Sequence, residues 1–265
     1  MRALQFLTCL AVLFFGSRQG LGAEDALWPT CRGDNARSSF LDAELNTDLQ
    51  LLWRHTPTQP PRPAWPAPAR GSYWQRLTHI VPRVVDDHAF HPVLAGDAVL
   101  FASSADDSAY CLEGVTGEIR WKLTTDGPVR YAPSVARGFA YFGSDDGHVY
   151  CVELASGKLR WKRQLAPADR RVPGNGRIIS AWPVRTGLAV ADGVVYVGAG
   201  LYPSQGVYVA ALAAENGQPI GEQKIDYAAH GYLLIADDRL VVPTGRSTPI
   251  VLRLSDGHFL GQLPG

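Results

Sequence analysis

Residues Tyr131 to Trp161 read YAPSVARGFAYFGSDDGHVYCVELASGKLRW and contain one complete unit of a repeating antiparallel sheet. Apolar, β-prone runs alternate here with short segments of glycine, serine and aspartate, which favour tight turns. The pair Asp146-Gly147 suits the positive φ angles of a tight hairpin. The predicted strands are 132–135, 139–142, 149–154 and 158–162. Four strands of about five residues, joined in order by tight turns, predict a single four-stranded sheet.

The same unit recurs along the chain. Glycines predicted in the turns between third and fourth strands are spaced by 40, 60 and 40 residues: Gly117, Gly157, Gly217 and Gly257. The extra length in the middle is mostly the insertion 166–181. A period of about 40 residues made of strands and turns is typical of a β-propeller, whose blades bury their faces by stacking on one another. The sequence predicts an all-β fold with four-stranded blades at about 88–124, 129–165, 183–222 and 228–263.

Residues 1–23 have the order of a cleavable secretory signal. Arg2 precedes an apolar run from Leu4 to Phe15, and small residues follow near Ala23. The run is shorter than the about 20 residues that a membrane-spanning helix needs. We predict export to the periplasm or the cell exterior, with no membrane span once the signal is removed. An uncleaved anchor is the competing interpretation.

Residues 24–87 form an N-terminal segment before the repeats. Leu49, Leu51 and Trp53 alternate as in the fourth strand of a blade, so a strand is predicted near 49–54. Six prolines between 56 and 71 predict an extended linker or surface wrap, because proline cannot pair within a sheet. A proline-rich recognition ligand is the alternative for this stretch.

Charge and motifs exclude several functions. The 265 residues carry 25 Lys+Arg against 25 Asp+Glu, which gives no field to attract nucleic acid or an anionic membrane. The sequence has no Gly-x-Ser-x-Gly elbow, His-Glu-x-x-His helix or Walker loop, so hydrolase and nucleotide-handling roles lack support. Cys31, Cys111 and Cys151 show no zinc spacing and are predicted to be buried small apolar residues.

Two of the units share a longer pattern, in which an apolar-tyrosine strand leads to a small residue, a glycine and then a tryptophan. It is seen in Tyr110-Cys111-Leu112, Thr116-Gly117 and Trp121, and again in Tyr150-Cys151-Val152, Ser156-Gly157 and Trp161. This pattern resembles the repeat of the pyrroloquinoline-quinone-like (PQQ-like) β-propellers. The opening stretch Trp28-Pro29, Arg32-Gly33-Asp34 and Arg37-Ser38 also resembles exported planctomycete-type members. The third and fourth units match more weakly, because Gly221 and Gly261 replace the tryptophans.

The resemblance implies one of two functions. Superfamily members include quinone-dependent alcohol and sugar dehydrogenases, and also cofactor-free scaffolds such as the propeller lipoprotein of outer-membrane assembly. A dehydrogenase needs a catalytic carboxylate, oxygen ligands for calcium and groups that stack on the quinone. No such cluster is identified, because the paired aspartates fall in or beside turns, where aspartate is favoured for backbone reasons. These pairs are Asp86-Asp87, Asp106-Asp107, Asp145-Asp146 and Asp237-Asp238.

We therefore expect an exported, non-catalytic scaffold that binds a protein or small-molecule ligand at the propeller face, with no assigned catalytic residue, metal or cofactor. The alternative is the N-terminal part of a quinone-dependent dehydrogenase that binds PQQ and calcium. Relatives usually close with six to eight blades, so the resemblance implies an incomplete, open propeller whose partner could be the missing remainder. A closed four-bladed ring is the minority alternative.

Residues that enter the first strands are the candidate ligand-binding site, because such residues line the central channel of a propeller. Aligning VRYAPSVARG with VRTGLAVADG places Arg130 beside Arg185, and the same register brings His230 to that place. His88 and His91 flank the equivalent point in the first unit. Together they could form a cationic rim for an anionic ligand or a peptide carboxylate. Ordinary blade-end residues satisfied by backbone carbonyls are the alternative.

The insertion holds a second candidate contact surface. Arg170, Arg171 and Arg177 surround the sequence Gly174-Asn175-Gly176. No strand-to-helix context follows these glycines, so a phosphate-binding loop is not supported. A solvated, variable loop is the default expectation.

Overall fold

The computed structural model describes residues 28–42, 48–64, 87–165, 167–174, 176–245 and 247–264. The signal predicted over 1–23 lies outside the described residues, as does the part of the proline-rich stretch from 65 onwards.

Four antiparallel sheets follow one another along the chain, and in each the four strands lie in sequence order. Blade 1 contains β1 (Val93–Ala95), β2 (Ala98–Ser103), β3 (Ser108–Glu113) and β4 (Ile119–Thr124). Blade 2 contains β5 (Ser134–Ala136), β6 (Phe139–Gly143), β7 (His148–Glu153) and β8 (Leu159–Gln164). The predicted fold class, an all-β chain of four-stranded blades, is confirmed.

Between blades 2 and 3 the insertion, predicted as a solvated, variable loop, contains a hairpin of β9 (Arg171–Gly174) and β10 (Arg177–Ser180). A short strand, β11 (Thr186–Gly187), then leads into blade 3. Blade 3 contains β12 (Ala189–Ala191), β13 (Val194–Ala199), β14 (Val207–Ala213) and β15 (Pro219–Ile225). A 3-10 turn, Pro203–Gln205, lies in the loop between β13 and β14.

Blade 4 is preceded by β16 (Gly231–Tyr232), which pairs in parallel with β11 and so joins the entrances of blades 3 and 4. The blade itself contains β17 (Leu234–Ala236), β18 (Arg239–Val242), β19 (Ile250–Arg253) and β20 (Phe259–Gln262). Among the described strands, none of blade 4 pairs with a strand of blade 1. The four described blades agree with the incomplete propeller that the resemblance implies.

The turns between third and fourth strands have one geometry in all four blades. Each turn glycine has a φ between 69° and 74°, in the left-handed region that favours glycine. In each blade, the register between the third and fourth strands shifts by one residue close to the turn, as at Cys151/Val152 and Ala211/Leu212 on the third strands. The regular glycine spacing in the sequence thus reflects a repeated backbone conformation.

Three successive turns of this kind are each contacted by a tryptophan. The tryptophan comes from the N-terminal segment or from the fourth strand of the preceding blade. Each indole lies against the turn glycine, and the pairs are Trp53 with Gly117, Trp121 with Gly157, and Trp161 with Gly217. Each indole Nε1 also donates to a backbone carbonyl three residues before that glycine, at 2.8 Å for Gly114, 2.7 Å for Leu154 and 2.9 Å for Ala214. The indole side chain is therefore the repeated link between neighbouring units.

Trp53 makes this contact without belonging to a strand. Residues 48–57 are in no β-ladder of the described structure, although the sequence predicts a strand near 49–54. Trp53 makes the contact that Trp121 and Trp161 make from their strands. Among the described residues, however, no neighbouring strand pairs with this segment.

The N-terminal segment Trp28–Ser39 closes the lower end of the axis, where the first and second strands of each blade turn. It bonds the first strand of every blade: Trp28 bridges Leu94, the Pro29 carbonyl accepts from Val135 N at 2.7 Å, Asn35 Nδ2 donates to Val190 O at 2.7 Å, and the Asn35 carbonyl accepts from Ile235 N at 2.8 Å. One short segment thus ties together all four blades.

Replacing Gly157 by alanine tests the tryptophan contact, with Gly138→Ala as the matched control. Both glycines have positive φ, 69° and 79°, so each substitution costs about 1 kcal/mol of backbone strain. An added Cβ at Gly157 would lie 2.6 Å from the Trp121 ring, whereas one at Gly138 meets nothing within 4 Å. We expect urea unfolding to show that Gly157→Ala loses a further 1–3 kcal/mol, roughly. Equal losses in the two variants would contradict the packing role.

Candidate functional site

The loops between second and third strands, together with the connections between blades, lie at the end of the sheets opposite the N-terminal segment; we call this end the upper face. Arg130, Arg185 and His230 each precede the first strand of a blade and enter from this face. The structure brings all three together around Asp145, which lies in the loop between β6 and β7.

Asp145 is completely buried, and both of its carboxylate oxygens accept from arginine. Arg185 approaches with two nitrogens, Nε to Oδ1 at 2.9 Å and Nη2 to Oδ2 at 2.8 Å. Arg130 Nε donates to Oδ2 at 2.7 Å, and its Nη1 donates to Asp87 Oδ2 at 2.6 Å. Two guanidinium groups and two carboxylates therefore form a buried cluster of zero net charge, which we call the axial cluster.

Burial would raise the pKa of Asp145, but the attraction of Arg185 and Arg130 outweighs it and holds this pKa below its usual value. The main chain also fixes the loop, since Asp145 N donates to Pro128 O at 2.9 Å and its carbonyl accepts from Ser180 N at 2.8 Å. Arg185 Nη1 is buried and finds no hydrogen-bond acceptor among the described residues. One donor group of the cluster thus has no acceptor within the part of the chain that the structure describes.

His230 lies beside the axial cluster with only 6% of its surface exposed. Desolvation, followed by repulsion from Arg185, lowers its pKa to about 4, so the imidazole is neutral at pH 7. Its Nδ1 is 3.5 Å from the Tyr131 hydroxyl, and the two rings meet edge to face with centroids 6.1 Å apart. His230 therefore contributes a neutral polar group rather than a cation.

The other two predicted histidines are placed differently. His91 is half-buried and meets the Tyr232 ring edge to face at 5.9 Å, and Tyr232 in turn meets Tyr131 at 5.0 Å. His88 is exposed. A row of rings thus runs from His91 to His230 along the axis, while His88 lies apart. Whether these residues bind an anionic ligand stays a prediction.

A cleft of about 320 Å³ opens on the upper face next to His230. Its walls are largely apolar and come from three loops of blades 3 and 4: Leu201, Tyr202, Pro203, Asp226, Tyr227, Ala228, Thr244, Gly245 and Ser247. Apolar walls with a few polar groups are typical of sites that bind small ligands or single side chains.

The three insertion arginines lie on or beside the β9–β10 hairpin and contact neighbouring loops. Arg177 forms an ion pair with Asp107 of blade 1, and Arg170 lies over the Trp182 ring at 5.2 Å. Arg171 Nε lies 3.4 Å from Asp169 Oδ1, and the Asp169 side chain is the more exposed of the two. At least Arg177 therefore anchors the hairpin across the upper face. A role of these arginines in binding a partner stays a prediction.

Sequence reasoning missed the acidic half of the axial cluster. Asp145 and Asp87 belong to pairs that were interpreted as turn residues, and nothing in a single sequence distinguishes a turn aspartate from a buried one. It also missed Arg37, whose buried guanidinium donates to the carbonyls of Leu188 and Leu233 at 2.9 Å. The three free cysteines, by contrast, are buried as predicted. Burial raises the pKa of the Cys111 and Cys151 thiols to about 12.

A family model described as outer membrane protein assembly factor BamB matches residues 46–182 and 145–260. The two matched stretches together run through all four blades. The chain belongs to this PQQ-like propeller family. The predicted resemblance is thereby confirmed. No curated protein matches the chain.

Solved structures that align with this chain include two quinoprotein-type dehydrogenases and BamB. A quinohemoprotein alcohol dehydrogenase from Pseudomonas putida HK5 aligns with a TM-score of 0.53 at 14% identity, over 64% of this chain and 33% of that chain. A europium-containing methanol dehydrogenase aligns with a TM-score of 0.56 at 15% identity, over 82% of this chain and 45% of that chain. BamB from Moraxella catarrhalis aligns with a TM-score of 0.49 at 14% identity, over 62% of this chain and 49% of that chain.

At 14% and 15% identity, the likeness to the two dehydrogenases establishes the propeller fold alone. The chain matches between a third and a half of the length of these three structures. In the described part of the chain, no three His, Cys, Asp or Glu side chains are grouped as metal ligands. The described residues also include no helix with the length and apolar character to cross a bilayer.

The substitution Asp145→Asn should destabilise the fold strongly. It keeps the shape of the side chain but leaves the buried Arg185 without a counter-charge and Arg130 with Asp87 alone, at a cost of about 3–5 kcal/mol. Asp256→Asn is the matched control, because Asp256 pairs with Arg253 on the surface and its loss should leave the unfolding midpoint nearly unchanged. Urea denaturation at pH 7 measures both. A loss for Asp145→Asn as small as that of the control would refute the structural role of the axial cluster.

His230 should make stability depend on pH. Its pKa is about 4 in the folded protein against 6.5 in the unfolded chain, so the unfolded chain binds the extra proton between these values. Stability is therefore complete above about pH 6.5 and falls by about 3 kcal/mol towards pH 4. Replacing His230 by Gln should flatten this part of the stability curve, measured by urea unfolding at a series of pH values. His258→Gln, at an exposed turn, is the control for loss of an imidazole.

Proposed function

We propose that this PQQ-like propeller is an exported, non-catalytic scaffold that binds a protein or small-molecule partner at its upper face. The observation that carries the proposal is the axial cluster, in which the buried carboxylates are neutralised by guanidinium groups. The family model supports a protein partner, because it is named for an assembly factor.

The residues on the axis do not fit a calcium–quinone centre. Such a centre needs carboxylate oxygens free to bind a cation, and a carboxylate that can accept a proton from substrate. Asp145 is already bound on both oxygens by Arg185 and Arg130, whose positive charge disfavours a second cation. Asp146 accepts from the Tyr150 hydroxyl and from His148 N. These carboxylates are therefore engaged in holding loops rather than available for chemistry.

The cleft beside His230 is the surface we propose for the partner. Tyr202 and Tyr227 supply amphipathic ring surface at its walls, and His230 supplies a neutral ring nitrogen at one side. Tyrosine is favoured at interfaces because it buries a large area and also offers a hydroxyl group. The cleft thus suits an apolar or aromatic group that carries one polar atom, on a peptide segment or a small ligand.

Titration with PQQ and calcium separates the scaffold from the dehydrogenase alternative. We expect no new quinone absorbance band, no alcohol-dependent reduction of an artificial dye, and no rise in the thermal unfolding midpoint of the full-length gene product. A quinone adduct together with substrate-dependent dye reduction would overturn the non-catalytic proposal and support a quinone-dependent dehydrogenase.

Selection of displayed peptides against the folded protein tests the cleft. Tyr202→Ala removes a ring that is 57% exposed at the cleft wall, and selected peptides should bind this variant at least about fivefold more weakly. Val115→Ala, in a lower-face turn and 65% exposed, is the control and should bind as the unmodified protein does. Peptides that bind equally to all three proteins would place the partner surface elsewhere.

A further inference from the structure

The contact between blades 3 and 4 lacks the indole found at the three preceding contacts. Gly221 occupies on β15 the same register position that Trp121 occupies on β4 and Trp161 on β8. The atom nearest to an added Cβ at the blade 4 turn, Gly257, is the Gln223 Cβ at 3.7 Å, instead of an indole ring at 2.5–2.7 Å. A cleft of about 300 Å³ lies in this place.

The blade 4 turn that would contact an indole has the same backbone conformation as the other three turns. Gly257 has a φ of 71°, within the range of the other three turn glycines. Its N–H donates to Arg253 O at 2.8 Å, and Leu254 N donates to Asp238 O at 2.8 Å, which repeats the bonds of the other turns. The Leu254 carbonyl therefore corresponds to the three carbonyls that accept an indole N–H. Here the side chain that would donate to it is replaced by glycine.

A tyrosine side chain also lines the cleft between blades 3 and 4, as one lines the indole contact of blade 2. Tyr196 pairs with Ala189 and Ala211 in the register where Tyr141 pairs with Ser134 and Cys151. In blade 2 the Tyr141 ring lies 6.0 Å from the Trp161 ring at an angle of 48°. Tyr196 lines the open cleft in the equivalent position.

Leu252 lines the same cleft on the blade 4 side. Together with Tyr196, it supplies apolar surface to the cleft. Polar side chains also line it: Glu222, Gln223, Arg253, Ser255 and Asp256. The apolar surface of Tyr196 and Leu252, next to the Leu254 carbonyl, is complementary to an aromatic ring that carries one N–H donor.

We propose that the cleft between blades 3 and 4 binds a small indole-class molecule, with its ring over Gly257 and its N–H on the Leu254 carbonyl. The molecule takes the place of the missing tryptophan side chain. A Cβ built at Gly221 meets no atom within 4 Å, so the side from which the protein's own indole would come is open to a free ring. This site is separate from the upper-face cleft and does not depend on the function proposed for it.

Titration of the protein with 5-fluoroindole, followed by ¹⁹F NMR, tests the site directly. A ring of this size in a half-open cleft should bind with a Kd on the order of 0.1–1 mM. The N-methyl analogue has the same ring but no donor, so it should bind about fivefold more weakly. Equal affinity of the two compounds would contradict the role of the Leu254 carbonyl, and absence of binding by 5-fluoroindole would refute the site.

The variant Gly221→Trp should close the cleft with the protein's own indole. The φ angle of Gly221 lies outside the left-handed region, so the backbone allows a larger residue at this position. We expect its affinity for 5-fluoroindole to fall at least about tenfold, while the thermal midpoint rises because apolar surface is buried. Leu159→Trp adds an indole at an exposed position of β8, away from the cleft, and should bind as the unmodified protein does.

Circular dichroism establishes that each variant is folded before binding is measured. If Gly221→Trp does not fold, Gly221→Phe places a smaller ring in the same space and should weaken binding in the same direction. Undiminished binding by a folded Gly221 variant would overturn the proposal. Binding of a tryptophan-containing peptide without binding of 5-fluoroindole would also contradict it, because the occupant would then be a polypeptide.

Discussion

The packing of an indole against a turn glycine is the interaction on which the arrangement of the first three blades depends. A four-stranded sheet of this size exposes two faces, and its stability comes from covering them with neighbouring sheets. The glycine removes the side chain that would hold the indole away, and the carbonyl three residues earlier satisfies the indole N–H. Apolar burial and a satisfied donor therefore occur in the same contact, which fixes both the distance and the register between units.

The axis presents a different physical problem, because polar residues from several blades converge there without access to water. The axial cluster solves it by matching two guanidiniums with two carboxylates, since an unpaired buried charge would cost several kcal/mol, roughly. At the lower end, Arg37 of the N-terminal segment is held by backbone carbonyls. Charge at the centre thus holds loops and blade entrances in place, and the surfaces left for binding lie at the upper face and between blades 3 and 4.

Much of the fold could be predicted from local sequence. Strand alternation and turn glycines such as Gly157 are determined by backbone preferences, which act over a few residues. The alignment gives Arg130, Arg185 and His230 equivalent positions in the repeat, and in the structure all three lie near Asp145. It could not predict their electrostatic state. Asp145 comes from a loop that the repeat register does not align with them, and its burial is a property of the assembled blades.

The sequence alone therefore determined the all-β class, the four-stranded unit and the family, since these depend on spacing and local conformation that recur every 40 residues or so. Only the tertiary structure decided which polar residues are neutralised and where the blade contacts remain open. Asp145 acquires its low pKa from arginines 15 and 40 residues away in the chain, and Gly221 leaves a cleft because the turn it faces belongs to the next blade. Both are consequences of distances through space, which a single sequence does not record.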